Sequence, residues 1–452
     1  MKRLFVTTVV LCFSGMFISA EEKSFTLQEA VRYAMAHSPS IDNAKKDVQL
    51  SKEKVNEIKA IGLPQVNASG NFMQNMRIPV QIIPNFTNNF LPPGAPRGEE
   101  FIELAFAQKY TAMSNIQLTQ LLFDGSYLVG LQASRDVVNL YEILENRSTI
   151  EIENNVSKAY LLALLMKENV KMLEVNLNSI RKTLEQTTAI NQQGLIEKLD
   201  VDRLTLTKNN LEIQFAKLKM QADITEKLLK FQMGMPIQEP IVLSDQLEKL
   251  MAEMNQDFSQ ETLAINNRVE YKLLNKQIDL LKLDEKRYKM AYLPSLAFVL
   301  NQQYASYRSE FNFFDSNLPP NNRFIPSNYW ALGLQVPIFD GLKKEAQRSQ
   351  ARLNREKAEN DRLNFENAAN LDAAQSQVKY TSSKSMLKQQ QSSKELALNI
   401  YQTTLKKFQA GVGSSFEYTQ AETELTNANG NYLNAVYEVL VSQLELKKAL
   451  GK

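Results

Sequence analysis

The side chains that most often carry chemistry are nearly missing from this 452-residue chain, which has one histidine, His37, and one cysteine, Cys12. A tetrahedral zinc site needs several Cys or His ligands, and a nucleophilic triad needs an activated residue beside a base. Neither can be assembled here, so the chain reads as no enzyme, with no metal and no cofactor. His37 stands in His-Ser-Pro-Ser and reads as a loop or helix-cap residue. With 52 Lys and Arg against 50 Asp and Glu, the chain also lacks the basic excess that nucleic acid calls for.

What the sequence repeats is a carboxylate beside a glycine. Leu-Leu-Phe-Asp-Gly at 121–125 returns as Pro-Ile-Phe-Asp-Gly at 337–341. Each copy lies between an alternating apolar run and a very long helical pattern. The flanks correspond as well: Leu63-Pro64 with Leu293-Pro294, and Gln193-Gly194-Leu195 with Ala410-Gly411-Val412. Gly194 follows Gly125 by 69 positions, and Gly411 follows Gly341 by 70. Constant spacing of this kind marks an internal two-fold repeat. Each half reads as helix, strand, loop, strand, long helix, tight turn, helix, over residues 21–234 and 263–452. A linker at 235–262 opens on Met235-Pro236 and Glu239-Pro240.

The first 20 residues read as a signal peptide. Met1-Lys2-Arg3 is basic, Leu4 to Ile18 is apolar, and Ile18-Ser19-Ala20 offers a small residue for cleavage. The apolar run is shorter than the ~20 residues that span a bilayer as a helix. Cleavage would remove Cys12 and leave acids and bases in equal number.

Beyond that segment no stretch resembles a transmembrane helix, yet four alternate like strands. Val66, Ala68, Gly70 and Phe72 alternate with Asn67, Ser69 and Asn71, and Ile116, Leu118 and Leu122 with Asn115, Gln117 and Thr119. In the second half Leu296, Phe298 and Leu300 follow Pro294, while Trp330, Leu332, Leu334, Val336 and Ile338 stand opposite Ala331, Gly333 and Gln335. A soluble sheet with one wet face would show the same alternation. Each run, however, is about 10 residues, the length of a tilted membrane strand. Tyr304, Tyr307, Tyr329 and Trp330 near the run ends suit an interfacial aromatic belt. Four strands cannot close a useful barrel, and an open edge in lipid leaves backbone groups unpaired. Three chains would supply twelve strands, an even number in the range of such barrels.

The remainder is helical. A heptad runs through Val156, Ala163, Val170, Leu177 and Leu184 with Ala159, Met166, Leu173, Ile180 and Thr187, the spacing of helices packed as coiled coils. Another runs through Tyr418, Ala421, Leu425, Ala428, Tyr432, Ala435 and Val439. Each helix after Phe-Asp-Gly reads as about 67 to 69 residues, roughly 100 Å at 1.5 Å per residue. The shorter helices, expected at Gln28 to Ile61 with Glu197 to Met233 and at Leu263 to Ala291 with Ser414 to Leu450, would match that length when stacked in pairs. The glycines at 194 and 411–413 would turn the chain at the far tip, since glycine permits a left-handed backbone.

The two-fold repeat, the Leu-Pro before the first strand, the Phe-Asp-Gly before the long helix and the glycine turn at its end resemble the TolC-like outer-membrane efflux proteins. Ser38-Pro39-Ser40-Ile41 and Arg268-Val269-Glu270 echo the same family. The resemblance covers essentially the whole chain after residue 20. It implies a mainly α protein with a membrane β-barrel part: a homotrimer in which a 12-stranded β-barrel, four strands per chain, continues into a long α-helical barrel crossing the periplasm. It implies an exit channel in the outer membrane, fed by a periplasmic adaptor and an inner-membrane pump, for efflux or type I secretion. Gly125 and Gly341 would then permit the strand-to-helix bend, and Asp124 and Asp340 would cap the helix starts. Asn67, Asn71, Gln117 and Gln335 would face the wet lumen.

In the family the periplasmic tip carries acidic rings and polar links between helices. Asp200 and Glu417 match those acids, Gln420 stands where a second ring would fall, and Gly413 replaces an arginine found in some relatives. Gly194, Leu195, Gly411 and Val412 resemble the turns on which adaptor hairpins dock. The loops at 77–111, rich in proline, and at 308–327, rich in Asn and Phe, would lie outside the cell, where they could constrict the mouth. A soluble periplasmic coiled-coil adaptor or scaffold is the alternative, and it leaves the four alternating runs unexplained.

Overall fold

A computed structural model describes residues 23–93, 95–96, 98–253, 261–315, 317 and 323–452. The expected signal peptide lies outside them. The elements in chain order are β1 (Lys23–Phe25), α1 (Leu27–His37), α2 (Pro39–Ile61), β2 (Gln65–Gln74), β3 (Gln81–Pro84), β4 (Phe101–Leu104), β5 (Tyr110–Phe123) and α3 (Gly125–Gln192). They continue with α4 (Lys198–Met233), β6 (Ile241–Leu243), α5 (Leu247–Glu253), α6 (Val269–Met290), β7 (Ser295–Arg308), β8 (Ile325–Gln335), α7 (Lys343–Gln409) and α8 (Ser415–Ala449). The chain divides into two compact units. Of the described residues, one unit holds those of 23–47, 141–275 and 361–452, the other those of 48–140 and 276–360.

The first unit is helical and owes its cohesion to the heptads. Val156, Ala159, Ala163, Leu173, Leu177 and Ile180 of α3 are buried, as are Tyr418, Ala421, Leu425, Tyr432, Ala435 and Val439 of α8. Phe25, Leu229, Met233, Val436 and Leu440 form one core with Val156, Ala159 and Ala163, and Leu204, Leu211 and Tyr418 form another with Leu173, Leu177 and Ile180. Removing a side chain such as Leu229 would cost about 2–5 kcal/mol. Polar staples reinforce the packing: Glu445 of α8 accepts from Lys158 of α3 at 2.7 Å and from Lys379 of α7 at 2.8 Å. The polar stretch of α7 is continuous helix.

Two expected helices are interrupted. Gln28 to Ile61 breaks at Ser38, whose extended backbone (φ −66°, ψ 122°) is what the following Pro39 demands. His37 ends α1, with its ring stacked on Tyr33 at 4.1 Å and its Nδ1 2.9 Å from the Tyr33 carbonyl. Leu263 to Ala291 begins instead with a short 3-10 turn at Ile265–Asn267, and α6 starts at Val269. Sequence patterning gives no sign of a further feature, the parallel pairing of β1 with β6. It is closed by Tyr160, whose hydroxyl donates to the Phe25 carbonyl at 2.8 Å and lies 3.0 Å from Asp245.

The second unit is built on a four-stranded antiparallel sheet in the order β2-β5-β7-β8. β2 and β8 are its edges. The stretch between β2 and β5, expected as a long proline-rich loop, contains a small antiparallel pair, β3 with β4, and a 3-10 turn at Phe86–Phe90.

Candidate functional site

Cross-strand partners share a face and neighbours along a strand alternate, so the register sorts the sheet into two surfaces. One row joins Asn67, Gln117, Asn301 and Tyr329, and the next joins Ser69, Asn115, Gln303 and Ser327. Asn71 lies on the same face opposite Met113, and Gln335 opposite Ser295. The Asn301 side chain donates to Asn115 Oδ1 at 2.7 Å, and that of Gln117 to the Thr119 hydroxyl at 3.2 Å. This is an uncharged surface of amides and hydroxyls.

The opposite face carries a row of Val66, Leu118, Leu300 and Trp330, with Phe298 opposite Leu332 and Leu296 opposite Leu334. Across all four strands the one charged residue is Arg308.

Register corrects three details of the sequence reading. Tyr307 and Tyr329 occupy odd positions on the amide face, so only Tyr304 and Trp330 of the expected aromatic belt stand on the apolar one. A bulge between Leu121 and Phe123 resets the alternation, and Phe123, not Leu122, pairs with Leu296. β8 stops at Gln335, short of Val336 and Ile338.

The two strand-to-helix junctions are not copies of each other. Asp124 accepts from the Tyr127 amide at 2.8 Å and caps α3. Gly125 has no positive φ; a Cβ there would lie 2.8 Å from the Met290 carbonyl oxygen, so glycine serves close packing against α6. In the second junction Gly341 and Leu342 are both left-handed, at φ 67° and 66°. Asp340 therefore stands two residues ahead of the capping position and reaches in to accept from the Lys344 amide at 3.1 Å.

At the far ends of the long helices, Gly194 and Gly411 have φ 74° and 75°. The turns close with Leu195 N–H donating to Ile190 O at 3.3 Å and Val412 N–H to Lys407 O at 3.1 Å. Leu195 and Val412 are 73% and 80% exposed, and a Cβ on either glycine would meet nothing. Gly413 is different, because a Cβ there would press on the Phe408 amide at 3.0 Å, so any side chain fits tightly.

The tip acids separate. Ser415 donates to Asp200, tying the first turn of α8 to that of α4. Glu417 is exposed; its amide donates to Ser414, the N-cap of α8, at 3.2 Å. Gln420 is exposed as well and bonds Glu424 along its own helix at 3.1 Å.

A further acid escapes a reading by family positions. Glu422 is 2% exposed and its Oε1 has no hydrogen-bond partner. Burial pushes its carboxyl up to about 7, against the opposing effect of a hydrogen bond from Tyr401. The signal was present in the sequence, for Glu422 lies four residues after Tyr418 and three before Leu425, on the face the heptad buries. Around it Tyr401 meets Ser179 at 3.2 Å and Tyr418 meets Thr183 at 3.3 Å, joining α7, α8 and α3.

These features belong to a recognisable group. A family described as outer membrane efflux protein matches residues 30–235 and 289–452. No curated protein matches the chain in sequence. Among solved structures, the CmeC outer membrane channel of Campylobacter jejuni superposes with a TM-score of 0.71 at 16% identity, over 94% of this chain and 85% of its own. The open state of the MtrE outer membrane channel of Neisseria gonorrhoeae gives 0.70 at 16%, over 94% and 88%. VceC, an outer membrane protein of Vibrio cholerae, gives 0.68 at 14%, over 94% and 96%. At such identities the likeness is one of fold.

Proposed function

Because the chain belongs to the outer membrane efflux protein family, whose members are transport channels and not enzymes, we propose that it is one third of an exit duct. The protein is an outer-membrane efflux channel with its helices in the periplasm. In the proposed assembly three copies join their four-stranded sheets, β2 of one meeting β8 of the next, into a 12-stranded barrel. The halves 21–234 and 263–452 each contribute two strands and a long helix. The tip turns at Gly194-Leu195 and Gly411-Val412 receive a periplasmic adaptor, which links the channel to an inner-membrane pump.

The observation that carries this reading is the sheet itself. It has one uncharged amide face that water can wet, one apolar face, and two unpaired edges. In a bilayer an open edge leaves backbone groups without partners, so the sheet needs sister copies. Asn67, Asn71, Gln117 and Gln335 then line a lumen. At the tip, three exposed Glu417 carboxylates ring the aperture and concentrate cations. Asp200 is engaged by Ser415 and acts in holding the aperture together, while Gln420 contributes a neutral side chain.

Membrane fractionation with planar-bilayer recording tests the proposal. The channel stays with outer membranes through a high-salt wash and conducts ions after reconstitution, and Glu417→Gln reduces its preference for cations. A protein that washes off into solution would be the coiled-coil scaffold instead.

A further inference from the structure

Arg308 ends β7 on the same face as Val66, Leu300 and Trp330, yet it is only 2% exposed. What covers it is aromatic. The guanidinium lies 4.3 Å from the centre of the Phe313 ring and 5.9 Å from that of Phe324. Its nitrogens donate to the Ser306 hydroxyl at 3.0 Å, to the Asn312 side chain at 3.1 Å and to the Asn312 carbonyl. Phe311 and Phe313 in turn meet Phe72 edge-on at 5.7 and 5.6 Å, and Phe311 meets Tyr110 at 5.8 Å. Phe72 and Tyr110 share the face of Arg308, since Tyr110 is its cross-strand partner and Phe72 pairs through Ala112 with Ser306.

The chain leaving β7 therefore folds back over the apolar face and not across the amide face. We infer that Phe311, Phe313, Phe314 and Phe324, held down by Arg308, form an aromatic collar that contacts the lipid of the outer leaflet around the channel and takes no part in closing its mouth. The collar continues a surface already suited to lipid, and it leaves Phe314 91% exposed with Phe311 and Phe324 exposed beside it. Contiguous exposed rings mark an interaction surface, and aromatic residues favour the membrane–water boundary. The surroundings of Arg308 explain how one charge is tolerated on this face: three of its hydrogen bonds go to Ser306 and Asn312, and its flat cation lies against the Phe313 ring. The inference rests on the proposal that the apolar face of the sheet meets lipid.

Tryptophan fluorescence separates the two ideas, because Trp330 is the single tryptophan of the chain. The probe is Phe314→Trp combined with Trp330→Phe, in phosphatidylcholine vesicles whose acyl chains carry bromine near the headgroup or near the terminal methyl, with iodide as the aqueous quencher. The collar predicts that the new tryptophan loses most of its emission to the shallow bromines and little to iodide. Quenching by iodide and not by bromine would place this segment in water and overturn the inference, as would shielding from both, which would mean cover by a sister copy. Phe311→Trp in the same background repeats the measurement if the first variant does not insert. Trp330 in the unaltered protein is the control: if brominated lipid fails to quench it, the lipid-facing reading of the sheet falls; if it is quenched and Trp at 314 is not, only the collar falls.

Discussion

Ser415 donates its hydroxyl to the carboxylate of Asp200, joining the first turns of α8 and α4 across 215 residues of sequence. Ser415 is fully buried, while Asp200 is partly exposed. Hydrogen bonds to a charged acceptor contribute about 1.5–3 kcal/mol. In the proposed channel this link would hold the aperture helices together. Ser415→Ala is expected to raise the resting current of reconstituted channels, and Ser415→Thr to retain low current. An unchanged resting current in the alanine variant would remove the link from the closing device.

Glu422 makes the helical unit sensitive to pH. Its native pKa, raised by burial to about 7, lies above the ordinary 4.5, so the folded state holds a proton that the unfolded state has released. Stability is fullest below the ordinary carboxylate range and falls as pH rises through about 7. The cost above neutrality is roughly 3 kcal/mol, taking 1.36 kcal/mol per unit. Glu422→Gln keeps the shape without the charge, and is expected to resist denaturation better than the parent in alkaline buffer and equally in acid. Equal resistance at every pH would show that Glu422 finds water or a cation when ionised.

The strand-to-helix glycines differ in kind. Gly125→Ala would drive a methyl into the Met290 carbonyl at 2.8 Å, an overpacking worth about 1–3 kcal/mol. Gly341→Ala meets open space, and its cost is the left-handed backbone, roughly 1 kcal/mol. The yield of folded protein in outer membranes is expected to fall further for Gly125→Ala, and the reverse order would contradict this account of the two bends.

At the tip, Gly194 and Gly411 have open space around the missing Cβ, so bulky replacements there cost only backbone strain and leave assembly intact. Gly411→Trp or Gly194→Trp is expected to abolish export in cells while assembly in detergent is unchanged. Export that survives both would remove the turns from adaptor docking.

Helices and strands were legible because each imposes a period: the heptads of α3 and α8, and the alternation of β2, β5, β7 and β8. Facing was less so. Tyr307 and Tyr329 read as belt residues by type, and only the register assigns them to the amide face. Contacts between segments distant in sequence leave no local trace, which is why β1 with β6, Ser415 with Asp200, and the Phe311 to Phe314 segment over Arg308 were not foreseen. Pro39, the first residue of α2, is a visible break signal, since the residue before a proline disfavours the helical backbone. The candidate site was legible as positions, such as Asp124 and Gly194, but not as partnerships.

Light scattering of the protein extracted from outer membranes in mild detergent, with the detergent mass subtracted, tests the central claim most directly. The account predicts a particle of three chains, since two free sheet edges per copy must be paired. A stable, membrane-derived single chain with its edges intact would contradict it.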